Sequence, residues 1–204
     1  MENKIAKTIS FLFHPLFMLL YGLIILLFII NTYVSLMLPI QAKIYILAIA
    51  FISGIIFPAA FMFFLLKKNF IKSYAMETKE ERTVPYLMTG VFYYFLFYLF
   101  KEIYLPPLLY VFVLNSILLI LFALLINFWW KISAHLIAIG GIVGALMGIS
   151  IRLGVNMIPL IAIFILIAGF VGFSRLKLNA HKPTQVYVGF LLGLFCMMIL
   201  FMLI

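Results

Sequence analysis

The stretch from Pro107 to Phe128, PLLYVFVLNSILLILFALLINF, contains no charged residue. A helix needs about 20 mostly apolar residues to cross a bilayer core, so this stretch predicts a transmembrane helix. A membrane β-barrel would instead show alternating segments of about ten residues. Applied to the whole chain, the same length criterion predicts an all-α membrane protein of six to seven transmembrane helices. We expect these helices to form one domain over residues 1–204. The predicted spans are Ser10–Asn31, Ile44–Leu66, Thr83–Tyr104, Pro107–Phe128, Leu136–Arg152, Met157–Phe173 and Val186–Ile204.

The composition excludes a soluble globular domain. Of the 204 residues, 68% are hydrophobic and 9% are charged, against roughly 45–50% and 25% in soluble domains. All five acidic residues are Glu, which excludes enzymes that depend on an aspartate, such as aspartyl-phosphate pumps and Asp-rich magnesium prenyltransferases. The net charge of +9 suits anionic headgroups or a phosphorylated ligand. The basic residues are spread over short loops, so we expect no nucleic-acid partner.

Three polar loops separate the predicted spans, at Lys67–Arg82, Trp129–His135 and Ser174–Gln185. They follow the second, fourth and sixth of seven spans, so they emerge on one face of the membrane together with the N-terminus. The positive-inside rule assigns this face to the cytoplasm of a bacterial-type inner membrane. The bias falls to five cations against three when the six cations that could bind an anion are set aside, which are Lys79, Arg82, Lys131, Arg175, Lys177 and Lys182. The cations on this face are Lys4, Lys7, Lys67, Lys68, Lys72, Lys79, Arg82, Lys131, Arg175, Lys177 and Lys182, against Lys43, Lys101 and Arg152 on the other.

The loops also hold the residues that are able to perform chemistry. His181 ends the segment SRLKLNAH, which starts at residue 174, and His135 ends the segment KISAH, which starts at residue 131. Arginine offers planar, bidentate donors to a phosphate group, and Arg175 and Arg82 are the candidates in these loops. Backbone amides at the start of the fifth helix add the positive end of a helix dipole. The pattern therefore predicts a site for a phosphorylated ligand.

These segments resemble motifs of the type-2 phosphatidic acid phosphatase superfamily, the lipid phosphatases related to bacterial acid phosphatases and vanadium haloperoxidases. The third family motif, Ser-Arg, five residues, His, three residues, Asp, matches at Ser174, Arg175 and His181 with the family spacing. The second motif, Pro-Ser-Gly-His, matches at Ser133 and His135. The resemblance extends over about residues 72 to 193.

The sequence departs from the family pattern at several positions. Ile132 and Ala134 replace the Pro and Gly of the second motif. The first motif, Lys, six residues, Arg-Pro, is represented at Lys79, Arg82 and Pro85 with a different spacing.

The resemblance implies a metal-independent lipid phosphatase that needs no cofactor. His181 would attack phosphorus and form a phosphohistidine, while His135 would protonate the leaving group and later help activate water. The substrate would be a phosphorylated membrane lipid: phosphatidic acid, phosphatidylglycerol phosphate or a polyprenyl diphosphate. The residues expected to bind phosphate are Arg175, Arg82, Lys79, Ser133 and Ser174.

Gln185 stands where the family has Asp. Four residues after His181, it would share a face with His181 on a continuing helix and accept a hydrogen bond from the imidazole. It brings no full charge, so the nucleophile would be oriented but less activated. Two alternatives therefore stay open: an impaired member that binds phospholipid headgroups without turnover, and a small transporter that uses Asn115 and Ser116.

Other features have structural interpretations. We expect His14, before Pro15, to contact lipid headgroups, and the glycines spaced by four in helices five and seven to allow close helix packing. The acidic cluster of the first polar loop is interpreted as charge compensation. The glycines are Gly140, Gly144, Gly148, Gly189 and Gly193, and the cluster is Glu77, Glu80 and Glu81.

Overall fold

The computed structural model describes residues 2–74, 76 and 78–203, and all regular structure in these ranges is helical. The predicted all-α class is thereby confirmed. Glu77 of the acidic cluster and Ile204, the predicted end of the last span, lie outside the described residues. The helices are α1 (Glu2–Leu12), α2 (Pro15–Ile24), α3 (Tyr33–Met37), α4 (Ile40–Phe51), α5 (Phe57–Lys67), α6 (Glu80–Glu102), α7 (Pro107–Trp129), α8 (Ala134–Leu153), α9 (Ile158–Lys177) and α10 (Pro183–Leu203), with π-helical turns at Ile25–Ile29 and Ile52–Ile56.

Six helical segments in the described ranges are long and apolar enough to cross a membrane, which makes the chain an integral membrane protein. The first of them joins α4, a π-helical turn and α5 into Ile40–Lys67. A seventh is added if the bent pair at the N-terminus, Asn3–Leu12 and Pro15–Ile29, counts as one span. The predicted range of six to seven helices is therefore confirmed.

The N-terminal span is not the continuous helix predicted over Ser10–Asn31. The helix begins at Glu2, breaks at Phe13 and His14, and resumes at Pro15 with a bend of 53°. Proline has no backbone N–H and disfavours helical backbone at the residue before it, so the break falls directly before Pro15. His14 thus lies between two helices.

The chain forms two compact units. The first unit contains α1, the first residues of α2, and α8 to α10, and the second contains the rest of α2 through α7 and ends at Lys131. In the second unit, α6 packs against α7 and against the segment of α4 and α5.

The first unit is held together by close packing of α8 on α10. A Cβ atom added at Gly144 would collide with the carbonyl oxygen of Leu194, and one added at Gly193 would collide with that of Ile137. The expectation that the glycines allow close helix packing is therefore confirmed. Helix α9 packs against α8, and α1 packs against α9.

The outer faces of the long helices suit contact with lipid. On α9, the side chains of Leu166 and Phe170 are 65% and 61% exposed, and they lie four residues apart on one face. Apolar side chains with this exposure are stable in a hydrocarbon environment and costly in water. The exposed apolar faces therefore agree with the membrane assignment.

Candidate active site

The start of α8 forms one wall of the candidate site. Ser133 is the N-cap residue of α8, but its side chain makes no capping hydrogen bond. Its hydroxyl is completely buried and has no hydrogen-bond partner among the described residues. The Ser133 N–H donates to the carbonyl oxygen of Gln185 at 3.3 Å, which ties the start of α8 to the first turn of α10.

The end of α9 forms the second wall. Ser174 and Arg175 were predicted in a loop, but α9 continues to Lys177, so both belong to its last turns. Cationic side chains in the last turn interact favourably with the negative end of the helix dipole, and they do not end the helix.

Helix α9 ends at Lys177, and Asn179, two residues further on, has a positive φ of 52°. The Asn179 N–H donates to the Leu176 oxygen at 2.9 Å, and the Ala180 N–H donates to the Arg175 oxygen at 3.1 Å. This pair of bonds is a Schellman motif, which asparagine tolerates because it adopts left-handed backbone readily. The motif reverses the chain and places His181 just before α10.

His181 and Gln185 are joined by the predicted hydrogen bond, but not for the predicted reason. His181 lies before the first turn of α10, which begins at Pro183, so the two residues do not share a continuing helix. Gln185 is the third residue of α10, and its Oε1 accepts the Lys182 N–H at 3.1 Å. This is the reach-back bond of a capping box. The same Oε1 lies 3.0 Å from His181 Nδ1.

These two bonds determine the tautomer of His181. The backbone N–H of Lys182 can only donate, so the Gln185 atom that receives it is the amide oxygen. An amide oxygen only accepts, so His181 Nδ1 carries the hydrogen. In the neutral ring, Nε2 then carries no hydrogen and holds a lone pair. The His181 side chain is 8% exposed, and this environment presents Nε2 as the nucleophilic nitrogen.

His135 is oriented by the N-terminal helix. Its Nε2 lies 3.1 Å from the carbonyl oxygen of Ser10, so Nε2–H donates and Nδ1 is left for proton transfer. The His135 ring also meets the ring of His14 edge to face, with centroids 5.4 Å apart. Sequence reasoning missed both Ser10 and His14. The His14–Pro15 pair was the available signal, since a proline predicts the helix break that places His14 here.

The first unit brings together five of the eight predicted site residues. His135 interacts electrostatically with Arg175, His14 and His181, and hydrogen bonds link His181 to Gln185 and Ser133 to Gln185. The arrangement combines a cationic group, an oriented imidazole and a second histidine near the N-terminus of α8. The five residues are Ser133, His135, Arg175, His181 and Gln185.

Ser174 is also in the first unit, but its hydroxyl donates to the Phe170 carbonyl oxygen at 2.8 Å and is completely buried. That bond uses the only proton the hydroxyl has to donate. A phosphate oxygen accepts hydrogen bonds, and the Ser174 hydroxyl in this position has no hydrogen left to donate to it.

Lys79 and Arg82 belong to the second unit. Lys79 Nζ donates to the Phe128 carbonyl oxygen at 2.7 Å, and Arg82 Nε donates to the Met76 carbonyl oxygen at 2.9 Å. Their predicted role in binding phosphate stays a prediction.

Among the described residues, no group of three or more His, Cys, Asp and Glu side chains is arranged to hold a metal ion. The metal-independent route also stays a prediction. No protein-family model, curated protein or solved structure matches the chain. The site is therefore interpreted from its own geometry.

Proposed function

We propose that this protein is a membrane phosphatase that hydrolyses a phosphorylated lipid through a phosphohistidine at His181. The observation that carries the proposal is the bond from His181 Nδ1 to Gln185 Oε1, 3.0 Å long. A histidine nucleophile needs one nitrogen held by an acceptor and the other unprotonated, and this bond provides both. A surface histidine in contact with headgroups has no need of such fixation.

The charge of the phosphoryl group would be met by Arg175, the Ser133 hydroxyl and the free amides at the start of α8. A buried hydroxyl without a hydrogen-bond partner lowers the stability of the fold by about 1–3 kcal/mol. A ligand that accepts a hydrogen bond from this hydroxyl recovers that free energy. The N-terminus of a 20-residue helix adds a positive dipole end. An anion at this position is favoured by all three groups.

The proposed reaction has two steps. His181 Nε2 attacks phosphorus, and His135 Nδ1 takes the proton of the singly protonated phosphoryl group and passes it to the leaving oxygen as the bond from phosphorus to that oxygen breaks. A water then gives a proton to His135 Nδ1 and attacks the phosphohistidine, which restores His181. His135 passes this proton to the phosphate that is released. Throughout, the Ser10 carbonyl holds His135 Nε2–H and keeps Nδ1 in place.

A second candidate function is headgroup binding without turnover. Gln185 is neutral, and its oxygen is shared between His181 and the Lys182 N–H. A positive charge that develops on His181 during attack would therefore receive little compensation. Transport ranks behind both, because its best support is a single neutral amide, Asn115, which is completely buried without a hydrogen-bond partner among the described residues.

The substrate class and location extend the same proposal. Phosphatidic acid, phosphatidylglycerol phosphate and polyprenyl diphosphates all present the required phosphate at a membrane surface. The cation excess favours the cytoplasmic face of a bacterial-type inner membrane for this site.

The test is phosphate release from each of the three lipids by the purified protein in lipid nanodiscs, with EDTA present. We expect release from at least one lipid, and none from the His181→Ala variant. If no lipid is hydrolysed but labelled lipid binds and competes with inorganic phosphate, the binding function is supported instead.

A further inference from the structure

His14 occupies a position that neither the sequence motifs nor the proposed reaction uses. It lies in the break between α1 and α2, where the Phe17 N–H donates to its carbonyl oxygen at 2.9 Å. Its ring meets His135 edge to face at 5.4 Å between centroids, with an interplanar angle of 82°. His14 also interacts electrostatically with Arg175 on α9. The break therefore places a third imidazole next to His135, the proposed acid–base residue, and near Arg175, which is proposed to bind the phosphate.

The hydrogen bonding of His14 identifies the proton it carries. The Leu16 N–H points to His14 Nδ1 at 3.4 Å, so Nδ1 accepts and the hydrogen of the neutral ring lies on Nε2. That Nε2–H has no acceptor among the described residues. Because Nδ1 accepts a hydrogen bond, the ring is neutral and offers one N–H donor, Nε2–H.

We propose that His14 is a phosphate-binding residue whose neutral imidazole donates Nε2–H to an oxygen of the phosphoryl group. The inference rests on the proposed function, because it assigns a further ligand to the same phosphate. A neutral imidazole is a known form of electrophilic donor, and it differs from a general acid because it does not give up its proton. His135 transfers the proton, and His14 holds the phosphate.

Two variants distinguish a role of His14 as a hydrogen-bond donor from a role as a general acid or as a packing residue. In His14→Gln, the side-chain amide N–H can take the place of Nε2–H and does not titrate. In His14→Phe, the ring contact with His135 is kept, but the donor is lost. A third variant, His14→Asn, has a shorter side chain whose amide lies near the position of Nδ1. Its N–H donor is therefore displaced from the position of Nε2–H.

The measurements are the affinity for inorganic phosphate by calorimetry and the pH profile of kcat/KM, each on monodisperse protein with a recorded unfolding temperature. A lost hydrogen bond to a charged group predicts that His14→Phe and His14→Asn bind phosphate about tenfold to a hundredfold more weakly. His14→Gln should bind within about threefold of wild type and keep the pH profile of kcat/KM unchanged.

Several results would overturn the inference. These are unchanged phosphate affinity in His14→Phe, a loss in His14→Gln as large as in His14→Phe, a changed pH profile in His14→Gln, or no phosphate binding by the wild type. Failure of the proposed function gives a different pattern, with no turnover by the wild type but phosphate affinity that still falls in His14→Phe and is kept in His14→Gln.

Discussion

The Nδ1 atom of His181 lies 3.0 Å from Oε1 of Gln185, and the Lys182 N–H lies 3.1 Å from the same oxygen. Gln185 therefore caps α10 and sets the tautomer of His181 with one atom. The helix cap and the orientation of the imidazole are coupled here, because any change that moves the first turn of α10 also moves the imidazole.

Gln185→Glu should increase turnover, because a carboxylate of the same length accepts both hydrogen bonds and also stabilises positive charge on His181. Loss of such a charge costs triad enzymes about 10⁴ in turnover, so we expect a gain of at least about tenfold. Gln185→Leu, of similar size, should abolish turnover and destabilise the protein by about 1–2 kcal/mol. Phosphate release and thermal unfolding measure the two effects. Equal turnover in wild type and Gln185→Glu would contradict the need for charge compensation, and turnover kept in Gln185→Leu would contradict the orienting role.

Ser133→Ala should weaken catalysis without loss of stability. Its hydroxyl is buried without a partner among the described residues, so its removal costs the fold nothing, while kcat/KM should fall about tenfold. Ser174→Ala is the matched control, because that hydroxyl already donates within α9. Its kcat/KM should stay within about threefold of wild type. Equal losses in the two variants would count against the Ser133 assignment.

Gly144→Ala should destabilise the first unit, because the added Cβ would collide with the carbonyl oxygen of Leu194 on α10. We expect a loss of about 1–3 kcal/mol from overpacking. Gly169→Ala on α9 is the control, since a Cβ there meets no atom within 4 Å, and it should stabilise by about 0.5–1 kcal/mol through helix propensity. Unfolding in denaturing detergent measures both. A stable Gly144→Ala protein would rule out the close contact of α8 and α10.

A cysteine at Lys177, an exposed position near the end of α9, tests the membrane face. In a Cys196→Ser background, we expect a membrane-impermeant maleimide to label Lys177→Cys only after the cells are permeabilised. Labelling of intact cells would overturn the cytoplasmic assignment.

The fold could be predicted from the sequence because long apolar runs leave helices as the available spanning structure. Pro107 fixed the start of α7 correctly, since proline suits the first turn of a helix. The end of α9 was misjudged, because Arg175 and Lys177 suggest a loop, although cations are favourable in a last helical turn. Local charge alone does not distinguish a polar loop from the cationic last turn of a helix.

Only the residues of the candidate site that lie at fixed spacings in the sequence could be predicted. Ser174, Arg175 and His181 lie within one short segment, and Gln185 follows at a fixed distance. The orienting contact between Ser10 and His135 joins residues 125 positions apart, and no local pattern reports such a pairing. Pro15 signals the helix break at His14, but no local pattern reports its neighbours His135 and Arg175, which lie far away in the sequence.

The proposed mechanism requires that His181 becomes covalently phosphorylated. This is measured by quenching purified protein in an alkaline denaturant during turnover of ³²P-labelled lipid, followed by mass spectrometry under alkaline conditions that preserve phosphohistidine. We expect acid-labile, alkali-stable phosphate on His181, no such label in His181→Ala, and a larger trapped fraction in Gln185→Glu if attack is the slow step in wild type. Turnover with no label on His181, or label on another residue, would contradict it.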